Sequence, residues 1–238
     1  MSGSAVTMTS LPESYRALIV GASGAIGSAF VRALREDRRC GAVVELSRHS
    51  HPGFDLEVPA EIAAAVAAVA EHAPFHLVID ASGALVIDGV GPEKQLAAVR
   101  AAALARQFAV NATGPVLLLQ ALAPHLAPGR SVYAKLSARV GSIADNRKGG
   151  WYGYRAAKAA LNQLLQTAAL ELGTRRPGLV VAALQPGTVA SRLSAPFVSA
   201  DHAASPDEAA RALLEVLDGL PAMRGAHFRD TRGEEIPW

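Results

Sequence analysis

Tyr154 and Lys158 stand four apart in Tyr154-Arg155-Ala156-Ala157-Lys158, inside a run of helix formers. Residues i and i+4 of a helix share a face, so phenol and ammonium can sit side by side. A free tyrosine, with a pKa of roughly 10, is a poor acid or base near neutrality. A neighbouring cation favours the phenolate and lowers that pKa, which suits proton transfer. Tyrosine and lysine four apart are also common on helix surfaces. The pair gains meaning only if the rest of the chain supplies something to protonate.

A second group of residues suits a nucleotide. Gly21-Ala22-Ser23-Gly24-Ala25-Ile26-Gly27 follows the apolar run at 17–20 and opens a helical pattern. Glycines let backbone approach a pyrophosphate, and a helix N-terminus offers free N–H groups and a positive dipole end. The spacing is G-x-x-x-G-x-G, and many strand-to-helix turns need glycine for backbone reasons alone. The tip of the second strand bears on which nucleotide binds: an acid there bonds a ribose 2′-hydroxyl, an arginine accommodates a 2′-phosphate. Glu45-Leu46-Ser47-Arg48 puts Ser47 and Arg48 at that tip and favours NADP(H). A strand that ends earlier gives Glu45 the ribose and favours NAD(H).

These groups need elements to hold them. Apolar runs at 17–20, 42–46, 76–80, 131–136, 179–184 and 227–228 read as strands. Helical patterns at 26–35, 59–72, 93–125, 152–173 and 206–217 alternate with them. Such alternation means a parallel sheet covered on both faces. Residues 1–14 read as an N-terminal tail and 15–238 as one domain, with no internal repeat.

Composition excludes several classes. The chain has 238 residues, half of them hydrophobic and 18% charged, enough for a full core and unlike a disordered segment. A net charge of +2 without a basic stripe gives no sign of nucleic acid. Cys40 is the only cysteine, so no internal disulfide forms. No apolar run reaches the ~18 residues of a membrane span, and residues 1–10 lack a secretory apolar core. A soluble cytoplasmic protein is expected, with no metal site.

Read together, the residues resemble the short-chain dehydrogenase/reductase family across nearly the whole chain. The resemblance rests on motifs in order: the glycine turn, Asp80-Ala81-Ser82-Gly83, Val110-Asn111-Ala112-Thr113-Gly114, the Tyr154/Lys158 pair, and Pro186-Gly187. Gly141-Ser142-Ile143, Gly149-Gly150-Trp151-Tyr152 and Ile236-Pro237-Trp238 resemble the C-signal (C-factor)-like branch. The resemblance implies a Rossmann-type doubly wound parallel sheet of about seven strands with helices on both faces, and a nicotinamide cofactor. Tyr154 would exchange a proton with a carbonyl or alcohol oxygen. Lys158 would lower its pKa and bond the nicotinamide ribose, and Asn111 would hold a water in a relay to Lys158. Gly21, Ser23, Gly24, Ala25, Ile26 and Gly27 would cradle the pyrophosphate, and Asp55 and Leu56 would contact adenine at the tip of a third strand. Ala81, Ser82 and Gly83 would pass close to the cofactor, and Pro186, Gly187, Thr188 and Val189 would line the carboxamide. A homodimer or homotetramer built on the helices at 93–125 and 152–173 is implied too.

The chain departs from the family at two places. The family serine that bonds the substrate carbonyl falls on Ala138, with Ser137 one residue earlier and so on the opposite face of a regular strand. A bulge could turn Ser137 inward, Ser142 could substitute, or the carbonyl loses one bond. Asp80 and Ala81 stand where the family has asparagines. Leu85, Val86, Arg139, Ile143, Trp151, Tyr152, Val189 and Leu193 are expected to line a mostly apolar substrate pocket. Arg139 reads as a carboxylate clamp or an ion pair, and residues 188–205, with Pro196, as a short lid. The expected function is NADP(H)-dependent carbonyl reduction or alcohol oxidation on a small molecule. The alternative is a nucleotide-binding signalling protein with weak or no catalysis.

Overall fold

The computed structural model describes residues 6–191 and 203–238. Each strand is a short, mostly apolar run whose alternate residues face opposite helix layers. The strands are β1 (Tyr15–Val20), β2 (Cys40–Leu46), β3 (Leu77–Asp80), β4 (Ser131–Leu136), β5 (Leu179–Gln185) and β6 (Ala226–Asp230). They form one parallel sheet in the order β2-β1-β3-β4-β5-β6. The helices are α1 (Ala25–Glu36), α2 (Pro59–Val69), α3 (Ala101–Phe108), α4 (Gly114–Leu122), α5 (Tyr152–Arg175) and α6 (Pro206–Gly219).

Two apolar layers follow from the alternation. Ala17, Ile19, Ile79, Ala134 and Ala182 pack with residues of α1 and α6. Leu18, Val20, Val78, Tyr133 and Val181 pack on the other face with residues of α2, α4 and α5. The sheet is doubly wound, as expected. The chain starts at β1, goes outward to β2, then crosses back to β3. The carboxyl ends of β1 and β3 therefore flank the point where strand order reverses, where ligands of such sheets bind.

The elements differ from expectation in three places. Six strands, not seven, are present among the described residues. Residues 47–58 are turns and coil leading straight from β2 into α2, too few for a crossover helix and another strand. Asp55 and Leu56 thus lie in a loop, not at a strand tip. The pattern at 93–125 gives only a 3₁₀ turn at Leu96–Ala98 before α3, and a π turn at Ala109–Thr113 separates α3 from α4. Pro115 accounts for the π turn: it has no N–H for the Asn111 carbonyl, and Gly114 N–H instead reaches Ala109 O, five residues back. Finally, residues 6–14 are no loose tail. Met8 is fully buried, and its N–H bonds Asp37 Oδ2, which also accepts from the Tyr15 hydroxyl.

Candidate active site

β1 delivers Gly21 to the carboxyl edge of the sheet. Its N–H bonds Leu46 O at 2.8 Å, tying the glycine turn to the end of β2. Gly21 takes a φ of +76°, and a Cβ there would lie 3.0 Å from Ala81 C and Ser82 N. The turn therefore passes hard against the exit of β3. α1 starts next, with Gly24 as N-cap and no side-chain cap. Its first-turn N–H groups have no intrahelical acceptor and carry the positive end of the dipole. A Cβ on Gly27 would run into Gly21 O, so the helix and the turn close on each other here.

A cavity of about 600 Å³ opens beside this turn. Ile26, Ala81, Ser82 and Gly83 form one end. Tyr154, Lys158 and Trp151 from α5 and its N-cap form the middle. Gln185, Pro186, Gly187, Thr188, Val189 and Ser191 close the far side. None of the described lining residues is acidic. An uncapped helix start, backbone that a Cβ would block, and a wall without carboxylates fit a dinucleotide pyrophosphate.

Tyr154 and Lys158 are both buried, and Lys158 Nζ lies 5.6 Å from the Tyr154 ring centroid. Lys158 Nζ donates to Leu136 O at 3.1 Å. Burial pushes Lys158 down to about 7, helped by the Lys135 charge and opposed by Asp80. Burial pushes the Tyr154 phenol up, against the expectation that Lys158 would lower it. The ammonium sits over the ring rather than on the hydroxyl, and no bond joins the two. Trp151 precedes α5 in a left-handed conformation, φ 54°, and packs edge-on to Tyr154 at 6.2 Å between centroids.

Hydrogen bonding bears on the serine that the family places here. β4 ends at Leu136, and Ser137 Oγ donates to Asn162 Oδ1 of α5 at 2.6 Å. Asn162 Nδ2 is buried without a partner among the described residues, so the amide turned end for end would donate to Ser137 Oγ and leave the serine proton free. Ser137 and Ala138 both reach the cavity wall, and Ala138 brings no donor. Ser142 is buried outside the lining, accepting from Asp145 N–H at 3.0 Å. Asn111 is fully buried, and both its amide hydrogens are used: Nδ2 donates to Ala84 O and to Gln107 Oε1, while Oδ1 accepts from Ala84 N–H. The side chain holds the backbone after Gly83.

Other expected positions fall as follows. Arg48 comes two residues after the end of β2, exposed and without an ion pair among the described residues. Glu45 is engaged by Arg35 at 2.6 Å. Ser47 is buried, its hydroxyl accepting from His49 and Ser50 N–H. Asp55 Oδ1 caps Glu57 N–H at 2.9 Å. Arg139 is an ion-pair residue, bound to Asp145 at 3.1 Å and Asp230 at 3.3 Å. Leu85, Arg139, Trp151 and Val189 line the cavity as expected. Val86, Ile143 and Tyr152 are exposed instead, Tyr152 because two helix positions turn it away from Tyr154. Leu193 and Pro196 lie outside the described residues. The ends of the expected lid are tied together by Ala190 N–H to Ala204 O and Ala204 N–H to Thr188 O.

Sequence reasoning missed the buried charges beneath the site. Lys135 on β4 and Asp80 on β3 pair at 3.0 Å with both side chains fully buried. It also missed Asn162, Gln107 and Glu93, whose Oε2 accepts from Gly153 N–H at the start of α5. The available signal was charge inside apolar strand runs, which a folded sheet must pair.

A model of the short chain dehydrogenase family matches residues 15–201. The chain is 37% identical over 137 residues to C-signal of Myxococcus xanthus, covering 57% of this chain and 78% of that protein. It is 30% identical over 192 residues to 1-hydroxy-2-glutathionyl-2-methyl-3-butene dehydrogenase of Rhodococcus sp. (strain AD45), covering 79% of each. Among solved structures, the NADPH-bound carbonyl reductase from chicken fatty liver has the same fold, with a TM-score of 0.79 at 22% identity over 100% of both chains. A short-chain dehydrogenase/reductase from Burkholderia multivorans with bound NADP has a TM-score of 0.77 at 23% identity, over 94% of this chain and 99% of that one. The chain belongs to the short-chain dehydrogenase/reductase family of NAD(P)-dependent oxidoreductases.

Proposed function

We propose that this short-chain dehydrogenase/reductase is an NADP(H)-dependent enzyme that reduces a small-molecule carbonyl or oxidises the matching alcohol. One observation carries the reading: Tyr154 and Lys158, both buried, open into the same cavity as the uncapped start of α1. Gly21, Ser23, Gly24, Ala25, Ile26 and Gly27 would hold the pyrophosphate, Ala81, Ser82 and Gly83 would lie close to the cofactor, and Pro186 to Val189 would line the carboxamide. Nicotinamide held there would supply, or in oxidation accept, a hydride. Tyr154 Oη gives its proton to the carbonyl oxygen, or takes one in oxidation. Lys158, poised near neutrality, exchanges protons with solvent on behalf of the tyrosine and bonds the ribose. Asn111 fixes the backbone on which that exchange depends. Ser137, held by Asn162 at the cavity wall, is the hydroxyl that serves the carbonyl oxygen.

Arg48 supports NADP(H) over NAD(H). It is an uncommitted guanidinium just past β2, whereas Glu45 is occupied by Arg35. The two NADP(H)-bound structures of the same fold agree in direction. Quenching of tryptophan fluorescence, with Trp151 in the cavity wall, measures this. NADPH should bind more tightly than NADH, and Arg48→Ala should weaken NADPH roughly tenfold to a hundredfold, from about 1.5–3 kcal/mol for a charged hydrogen bond. NADH binding as tight as NADPH in the wild type would refute the cofactor assignment. NADPH consumption with no member of a broad aldehyde, ketone and quinone panel would count against the reaction.

The likeness to C-signal supports a second reading, a nucleotide-binding signalling protein with weak or no catalysis. A cellular phenotype that survives Tyr154→Phe and fails with Arg48→Ala would favour it.

A further inference from the structure

Asp80 and Lys135 are register partners on β3 and β4, so their side chains rise from adjacent strands on one face of the sheet. That face is the one covered by α4 and α5, since Val78 and Tyr133, two residues back on each strand, pack there. Both charged side chains are fully buried and 3.0 Å apart. Fully buried lysine and aspartate are rare unless paired, and a pair is costly unless its remaining valences are met. This pair does not close on itself. Lys135 Nζ also donates to Ser82 O at 2.6 Å and contacts Ser82 Oγ at 3.1 Å. The Ser82 N–H donates to Asp80 Oδ1 at 2.9 Å, and its hydroxyl bonds the same oxygen. Asp80 Oδ2 is buried without a hydrogen-bond partner among the described residues.

The network ends at the catalytic lysine. A Cβ on Gly83, the residue after Ser82, would lie 3.7 Å from Lys158 Nζ. Lys158 Nζ in turn donates to the carbonyl of Leu136, the residue after Lys135. Lys158 and the buried Lys135–Asp80 pair are thus linked through the Ser82–Gly83 turn and the Leu136 carbonyl.

We propose that Asp80 and Lys135 are positioning residues for Lys158: Lys135 fixes the Ser82–Gly83 turn beside it, and the Lys135–Asp80 pair puts two opposed buried charges behind that turn. Its catalytic consequence rests on the function proposed above. The titratable groups that act on Lys158 are Tyr154 on its own helix, Asp80 on β3 and Lys135 on β4. The π turn brings Asn111, which does not titrate. The turn at Arg139–Gly141 packs Gly141 against the Lys158 stem and sends the Arg139 guanidinium away to Asp145 and Asp230. Burial is the main force that drives the Lys158 proton off, the like charge of Lys135 adds to it, and the opposite charge of Asp80 works against both.

The test follows the Lys158 Nζ resonance in the full, cofactor-free chain labelled with ¹⁵N/¹³C-lysine, assigned by its loss in Lys158→Arg. Lys135→Met should raise the Lys158 titration by about one pH unit, and Asp80→Asn should lower it. The charge-neutral double variant Asp80→Asn/Lys135→Met should raise it by less than Lys135→Met alone. The double leaves no unpaired buried charge, so it should fold where a single variant does not. In NADPH-driven reduction the rate falls as pH rises through the Lys158 titration, and that limb should move with each variant. Coincident Lys158 titrations in the wild type and in every folded variant would overturn the proposal. Resonances that move as stated, in a protein that turns over no carbonyl, uphold the charge coupling and count against the enzyme reading instead.

Discussion

At the scale of residues, the site puts a weak acid and a weakened base side by side in one buried place. Tyr154 is raised by burial and Lys158 is lowered by it, so their affinities for the proton are each moved by the same wall of apolar side chains. An i, i+4 spacing is enough to place them on one face, and α5 does so. Spacing alone does not say that the ammonium rests over the ring, nor that a second lysine lies beyond it. Tyr154→Phe tests the acid. The ring still packs against Trp151, so NADPH binding measured by fluorescence should be unchanged while kcat falls by roughly 10²–10⁴, the usual loss for a positioned acid. Reduction that persists at near wild-type rate would move the proton donor elsewhere.

At the scale of elements, boundaries follow local chemistry. Pro206 at the first turn of α6, with Ser205 and Glu208 in a complete capping box, starts that helix where the sequence says it must. The strands at 131–136 and 179–184 are found within a residue of where the apolar runs end. The pattern at 93–125 misleads because alanine-rich sequence continues through positions where Pro115 forces a wider turn and where residues 93–100 serve instead to cap α5 through Glu93. The contact between α1 and the glycine turn admits a sharp check. Gly27→Ala places a methyl against Gly21 O, and overpacking of that kind costs about 1–3 kcal/mol. Chemical denaturation should show that loss together with weakened NADPH binding, because the same turn carries the pyrophosphate. Loss of stability with unaltered binding would separate the turn from the cofactor.

At the scale of the whole molecule, one sheet with a core on each face unites segments far apart in sequence. The stretch before β1 is part of that core. Met8 is fully buried, its N–H is held by Asp37, and Thr9 and Ser10 bond Asp218 at the end of α6. Met8→Ala should therefore cost about 2–5 kcal/mol in urea unfolding while leaving NADPH affinity below the transition unchanged. A cost near zero would return the segment to a surface role. The far end is held the same way: Trp238 stacks on Phe228 at 5.2 Å, and its carbonyl accepts from Ala144 N–H, bracing the segment that follows the cavity wall. No described helix is long and apolar enough to cross a membrane.

The sequence by itself determined the alternation of strand and helix, the glycine turn, the Tyr154/Lys158 spacing and the family they indicate. All of these are local, written in periodicity and in residues a few positions apart. Tertiary structure decided what depends on partners distant in sequence. It tied the Ser137 hydroxyl to Asn162 and answered Arg139 with Asp145 and Asp230. It replaced an expected strand at 55–56 with a loop, because residues 47–58 leave no room for one. It also set Lys135 opposite Asp80, 55 positions apart in sequence and 3.0 Å apart in space. A charge in an apolar strand announces that a partner must exist, since burying it alone is prohibitive. Only the register of β3 against β4 names that partner.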